Sequence, residues 1–131
     1  LGLRVLDVGP GWSKASVSYR EDLTQPAGIM HGGVISTLID TGIAHALMMS
    51  DRWTEVHREG GALVSVDLRV KFLRPVSQGT VVCDAKVLRS GRHVLHAEAL
   101  VTGEDGKEVA RGDAIYMAVP KSQIERSTGK A

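Results

Sequence analysis

The order of patterned segments predicts an α+β fold in which one long helix is covered by an antiparallel sheet. Three observations predict it. Two strand-like runs precede a single long apolar segment, and four more follow it at hairpin spacing. The long segment is apolar on most sides, which suits a central helix rather than a peripheral one. Strands gathered in runs beside one segregated helix point to an antiparallel sheet.

The elements follow in order. Residues 3–7 alternate weakly and stop at Gly9-Pro10-Gly11, a turn signal. Residues 13–19 read as a strand with Ala15, Val17 and Tyr19 on one side, so the chain opens on a hairpin. Residues 20–30 hold Pro26 and Gly28 and read as a loop. The helix runs from about Gly32 to Ser50. Residues 51–61 are polar, close on Gly60-Gly61 and read as a linker. In residues 62–73, Val64, Val66, Leu68, Val70 and Phe72 face one way, and Ser65, Asp67, Arg69 and Lys71 the other. A turn at 75–79 leads to a strand at 81–89, with Val81, Cys83, Ala85 and Val87 inward. Ser90-Gly91-Arg92 makes a tight turn into the strand at 93–102. A turn at 103–106 precedes the last strand at 109–119. This outlines one domain over residues 1–120 and a polar tail over 121–131, expected to fray.

Bulk properties narrow the function. The chain has 131 residues, 43% hydrophobic and 24% charged, with a net charge of +1. That balance gives no strong field for nucleic acid or a membrane. One Phe, two Tyr and two Trp are too few for base-stacking platforms. Cys83 is the only cysteine, so no internal disulfide and no cysteine-based metal site is available. No apolar run reaches ~18 residues without a polar break. The expected compartment is the cytoplasm, and the start at Leu1 leaves room for a short native segment before it.

The stretch from Gln25 to Met49 carries the chemistry. His31-Gly32-Gly33 opens the helix, and nine residues after His31 the apolar run is broken by Asp40. Helix-start glycines offer bare N–H groups to a ligand. A carboxylate among apolar neighbours costs free energy unless something compensates it. Ser36, Thr37, Asp40, Thr41 and His45 share one side of the helix. For the Ser and Thr residues, bonding back to helix carbonyls accounts for the stripe; Asp40 asks for more. Gly32 and Asp40 stand eight residues apart, roughly 12 Å along the axis. One carbonyl does not reach both, so a shared substrate requires a second chain with its helix antiparallel. Such a site lies on a two-fold axis and occurs twice.

Gln25-x5-His31-Gly32-Gly33-x6-Asp40, followed by Val64-Ser65-Val66-Asp67 and Arg74-Pro75, resembles hotdog-fold acyl-CoA thioesterases of the phenylacetic-acid-degradation (PaaI-like) type. The resemblance extends from about Leu3 to Val119. It implies a hotdog fold that assembles as a homodimer and commonly as a dimer of dimers, or homotetramer. It implies hydrolysis of an acyl-CoA thioester with no metal and no cofactor. By position, Asp40 becomes the nucleophile or the general base. Gly32 aims its N–H at the thioester oxygen, His31 orients the carbonyl or the leaving thiol, and Ser65 helps to place water. Many relatives carry Asn where this chain has Gln25, the expected water or substrate positioner; others keep Gln. Aspartate rather than glutamate at position 40 favours the PaaI-like branch. The resemblance also assigns Gly33, Phe72, Arg74, Pro75, Arg89, Ser90, Gly91 and Arg92 to substrate and CoA. The arginines suit phosphate, and the glycine turn offers N–H groups to it. His45, His57, His93 and His96 belong to no motif, and Met48 and Met49 read as packing.

Two other readings compete. One is a non-catalytic acyl-CoA-binding hotdog module; the retained Asp40 and the lack of a DNA-binding segment count against it. The other is a hotdog dehydratase or hydratase, which fits the His-Gly-Gly helix start less well.

Overall fold

The computed structural model describes residues 1–127. Its sheet has six antiparallel strands: β1 (Arg4–Gly9), β2 (Trp12–Ser18), β3 (Ala62–Phe72), β4 (Thr80–Ser90), β5 (Val94–Thr102) and β6 (Glu108–Val119). They lie in the order β1-β2-β4-β5-β6-β3, so β1 and β3 are the edges. The long helix α1 (Gly32–Met48) crosses one face of the sheet. A curved antiparallel sheet around a central helix is the hotdog architecture that the residues led us to expect.

α1 is held by what it buries. Val34, Ile35, Leu38, Ile39, Ile43, Ala46 and Leu47 all lie against the sheet side of the core. Each of the larger side chains contributes about 1.5–3 kcal/mol on burial. The sheet answers with small residues: Ala97, Ala99, Ala110, Gly112 and Ala114 line its inner face, so the helix settles close to the backbone. Ser13, buried on β2, donates its hydroxyl proton to the Gly42 carbonyl at 2.6 Å and ties the helix to the sheet.

The structure corrects three expectations. Residues 51–61 are not a linker: Asp51–Arg58 form α2, capped by the Ser50 hydroxyl, which accepts from the Trp53 N–H. α1 therefore stops at Met48 rather than near Ser50. The tail is not frayed where it begins: Lys121–Ser127 form α3. The last four residues of that tail lie outside the described ones.

The third correction concerns β3. Clean alternation puts Ser65 on the face opposite Val64, Val66, Leu68, Val70 and Phe72. A bulge between Ser65 and Asp67 breaks that pattern. Ser65 pairs with Tyr116, Leu68 with Ala114 and Val70 with Gly112. Directly paired residues share a face, and Tyr116, Ala114 and Gly112 face α1. Ser65 thus joins Leu68 and Val70 on the helix side. Val64 turns outward with Met117, and both are about 41% exposed. A bulge adds one residue and re-aims the side chains on either side of it.

Among the described residues no single helix is long and apolar enough to cross a membrane.

Candidate active site

The start of α1 is built around His31. Its backbone is extended (φ −62°, ψ 136°), and its Nδ1 accepts the Gly33 N–H at 2.9 Å. An imidazole nitrogen that accepts carries no proton, so the neutral ring holds its proton on Nε2, as a free donor. The Val34 N–H is taken by the His31 carbonyl at 2.9 Å. Of the first three helical N–H groups, that of Gly32 alone is left without a partner among the described residues. The helix dipole adds partial positive charge there. The tip of the Phe72 ring rests on Gly32, with Cζ 3.1 Å from where a Cβ would stand.

Gln25 sits in the loop before the helix. Its Oε1 accepts the Ala27 N–H at 3.1 Å, its own N–H donates to the Ile29 carbonyl, and its carbonyl accepts from Gly28. The side-chain oxygen is spent on the loop, and the amide Nε2 is the end left to act outward.

Asp40 lies two turns further along α1, partly exposed. The Tyr116 hydroxyl donates to its Oδ1 at 3.0 Å. Tyr116 is on β6 and only 7% exposed. Burial pushes its pKa up to about 12, the Asp40 charge and hydrogen bond add to the rise, and the Ser65 hydroxyl opposes it. Tyr116 therefore stays protonated and keeps donating. Thr37 on the same stripe returns its hydroxyl to the Gly33 carbonyl (2.8 Å), as a solvated helix edge does.

The expected CoA contacts divide into two groups. Arg74 and Pro75 share an open hollow with Gly106, Lys107 and Glu108, near the Phe72 end of β3. Arg89, Ser90, Gly91 and Arg92 are at the other end of the molecule. Ser90, Gly91 and Arg92 line a groove of about 820 Å³ with Met49 and α2. These strand ends are not neighbours within one chain: they flank opposite ends of a 17-residue helix. The Gly91 N–H is also not free, because it donates to the Val94 carbonyl at 3.0 Å. Among the described residues, no carboxylate pairs with Arg74, Arg89 or Arg92.

Two site residues escaped the sequence reading. Tyr116 carried a usable signal: it continues the inward alternation of Ala110, Gly112 and Ala114, and a buried phenol needs a polar partner. Arg52 gave none once α2 was taken for a linker. Its Nε donates to the Arg92 carbonyl at 2.9 Å and its guanidinium pairs with Glu55 at 2.9 Å, which anchors the 90–92 turn. Among the described residues no group of three or more His, Cys, Asp or Glu is placed to hold a metal ion.

Comparison with known proteins shows the family and the fold. The thioesterase superfamily profile matches residues 27–110. Human acyl-coenzyme A thioesterase 13 is 28% identical over 112 residues, which cover 84% of this chain and 75% of the human protein. A conserved protein of Pseudomonas aeruginosa has a solved structure that superposes with a TM-score of 0.80 at 30% identity, covering 90% and 89% of the two chains. A point mutant of the phenylacetic acid degradation protein PaaI from Thermus thermophilus superposes with a TM-score of 0.77 at 27% identity, over 89% and 93%. The match runs from the loop that carries Gln25's neighbours, through the helix start and Asp40, to the inner face of β6; this chain belongs to the thioesterase superfamily.

Proposed function

We propose that the protein hydrolyses acyl-CoA thioesters at two equivalent sites, each shared between two copies of the chain. Asp40 is the nucleophile or general base, and the Gly32 N–H polarises the thioester carbonyl from the partner's helix. The observation that carries this reading is the pairing of a free N–H at Gly32 with a tethered carboxylate about 12 Å along the same helix. Neither half suffices for one carbonyl; an antiparallel second helix brings the halves together.

Two further observations support it. β3 is an edge strand with Val64, Val66 and Leu68 exposed by 41%, 52% and 37%, and an apolar open edge is a template for pairing. Tyr116 lies on β6, the strand next to that edge, so Asp40 sits on the β3 side of the helix. The separation of the arginines acquires a use here as well. In an antiparallel pair, one chain's Arg74 and the other's Arg89 and Arg92 approach the same helix start, where they grip the phosphates of one CoA. His31 Nε2 orients the carbonyl or the leaving thiolate, Gln25 Nε2 and Ser65 attend the water, and Gly33 and Phe72 wall the acyl entrance. Dimers pairing into tetramers complete the expected assembly.

The test is thiol release from short, medium, long and aryl acyl-CoAs by the wild type and by Asp40→Asn, with EDTA present, beside sedimentation of both. The expected result is release by a dimer or larger species and a loss of at least about a hundredfold in Asp40→Asn, in line with removing a catalytic group. Tight binding with no turnover by the wild type would instead favour the non-catalytic module, and a fully active monomer would end the shared-site reading.

A further inference from the structure

We propose that Tyr116 is the positioning residue for Asp40, and that Ser65 acts on the site through Tyr116 rather than on the water alone. This rests on Asp40 being the reacting carboxylate. An aspartate on a helix has two free side-chain torsions, and nothing in α1 itself fixes them: among the described residues its one hydrogen bond comes from the Tyr116 hydroxyl, 3.0 Å from Oδ1. That bond occupies one oxygen and one direction. Oδ2, without a hydrogen-bond partner among the described residues, remains as the oxygen that meets a carbonyl carbon or a water.

The tyrosine is suited to the task by its own fixation. It is 7% exposed, anchored in β6 and packed in the main core. Its pKa of about 12 keeps the hydroxyl a donor across the working range of a hydrolase. The β3 bulge completes the arrangement. Without it Ser65 would face away; with it Ser65 stands directly opposite Tyr116 in the ladder, on the same face. From there the Ser65 hydroxyl is placed to donate to the phenol oxygen as the site closes on substrate, which leaves the phenol proton directed at Asp40. The three side chains come from three elements: β3, β6 and α1.

The experiment is a kinetic cycle of wild type, Tyr116→Phe, Ser65→Ala and the double variant, run on an acyl-CoA that the wild type turns over. Tyr116→Phe keeps the ring and removes only the proton donor. The expected result is a fall in kcat of about tenfold or more, the order seen when a reacting group loses its alignment, with KM within a factor of about two and circular dichroism unchanged. Ser65→Ala lowers kcat in the wild-type background and has little further effect beside Tyr116→Phe, since the path through the phenol is already cut. A tyrosine that merely fills the core would move thermal stability and leave kcat alone. Wild-type kcat in Tyr116→Phe overturns the positioning role; additive losses overturn the route through Ser65. Should Tyr116→Phe not fold, 3-fluorotyrosine at position 116 decides, because fluorine lowers the phenol pKa without changing the packing: an alkaline limb of the kcat–pH profile moved to lower pH upholds the proposal, and an unmoved profile overturns it. A wild type that releases no CoA fails the proposed function instead, a separate result.

Discussion

Gly112→Ala tests how closely α1 rests on the sheet. A Cβ at this position would stand 2.7 Å from Ile39 Cγ2, 3.2 Å from Ile39 Cδ1 and 3.0 Å from the Arg69 carbonyl oxygen. Comfortable carbon contacts begin at about 3.5 Å, so the shortfall is several tenths of an ångström in two directions at once. Neither neighbour gives easily. Ile39 is fully buried on α1, and the carbonyl belongs to the β3 backbone. Overpacking of this kind costs about 1–3 kcal/mol. Replacing glycine in a strand returns about 0.5–1 kcal/mol through the unfolded chain. The net is a loss of about 1–2 kcal/mol, which at a urea slope of about 1–3 kcal/mol/M lowers the midpoint by roughly 1 M. Urea unfolding of wild type and variant at one protein concentration measures it. Because Ile39 precedes Asp40, the helix shift should also reduce kcat. An unchanged or higher midpoint would mean that α1 has room to lift without cost, and that the small residues beneath it do not set its height.

Two further predictions concern charge and substrate grip. Burial pushes the Cys83 thiol up to about 12, from 9.0, and Tyr116 up to about 12, from 10.0. Both groups hold their protons longer when folded, so stability is full below about pH 9 and declines as pH rises toward about 12. Unfolding midpoints across that window should fall, with the Tyr116 share absent in Tyr116→Phe above about pH 10. Arg52→Gln frees the 90–92 turn from α2; KM for acyl-CoA should rise severalfold with kcat little changed, and an unaltered KM would remove that turn from CoA binding.

Much of the fold was written in periodicity. β4, β5 and β6 alternate over most of their length, with register shifts only at Val87/Arg89 and Val101/Thr102, and their turns carry the glycines that end them. α1 declared itself by an apolar run too long for a strand. α2 did not, because it buries only Val56 and closes on Gly60-Gly61, so polarity and turn residues outweighed its Ser50 cap. The cap was the signal to follow: Ser50 with Asp51 in the first turn and His57 and Arg58 in the last is a complete set of helix-end charges. Within the site, His31, Gly32 and Asp40 were legible because their residue types are odd for where they sit. The spending of Gln25 Oε1 on its own loop was not, since it depends on the turn geometry of residues 25–29.

Ser65 and Phe72 are an odd number of residues apart, yet both face α1: one toward the phenol that holds Asp40, the other against Gly32. On an unbroken strand, odd spacing puts two side chains on opposite faces. The single extra residue at Val66 reverses parity between them. The two ends of the strand thereby serve the two ends of the motif; deleting Val66 would leave them six residues apart on a regular ladder and still on one face, whereas ironing the bulge flat with Val66 kept would separate them. Where two positions expected to face one site differ in parity along a strand, the mismatch itself locates an insertion that no hydrophobic pattern reveals.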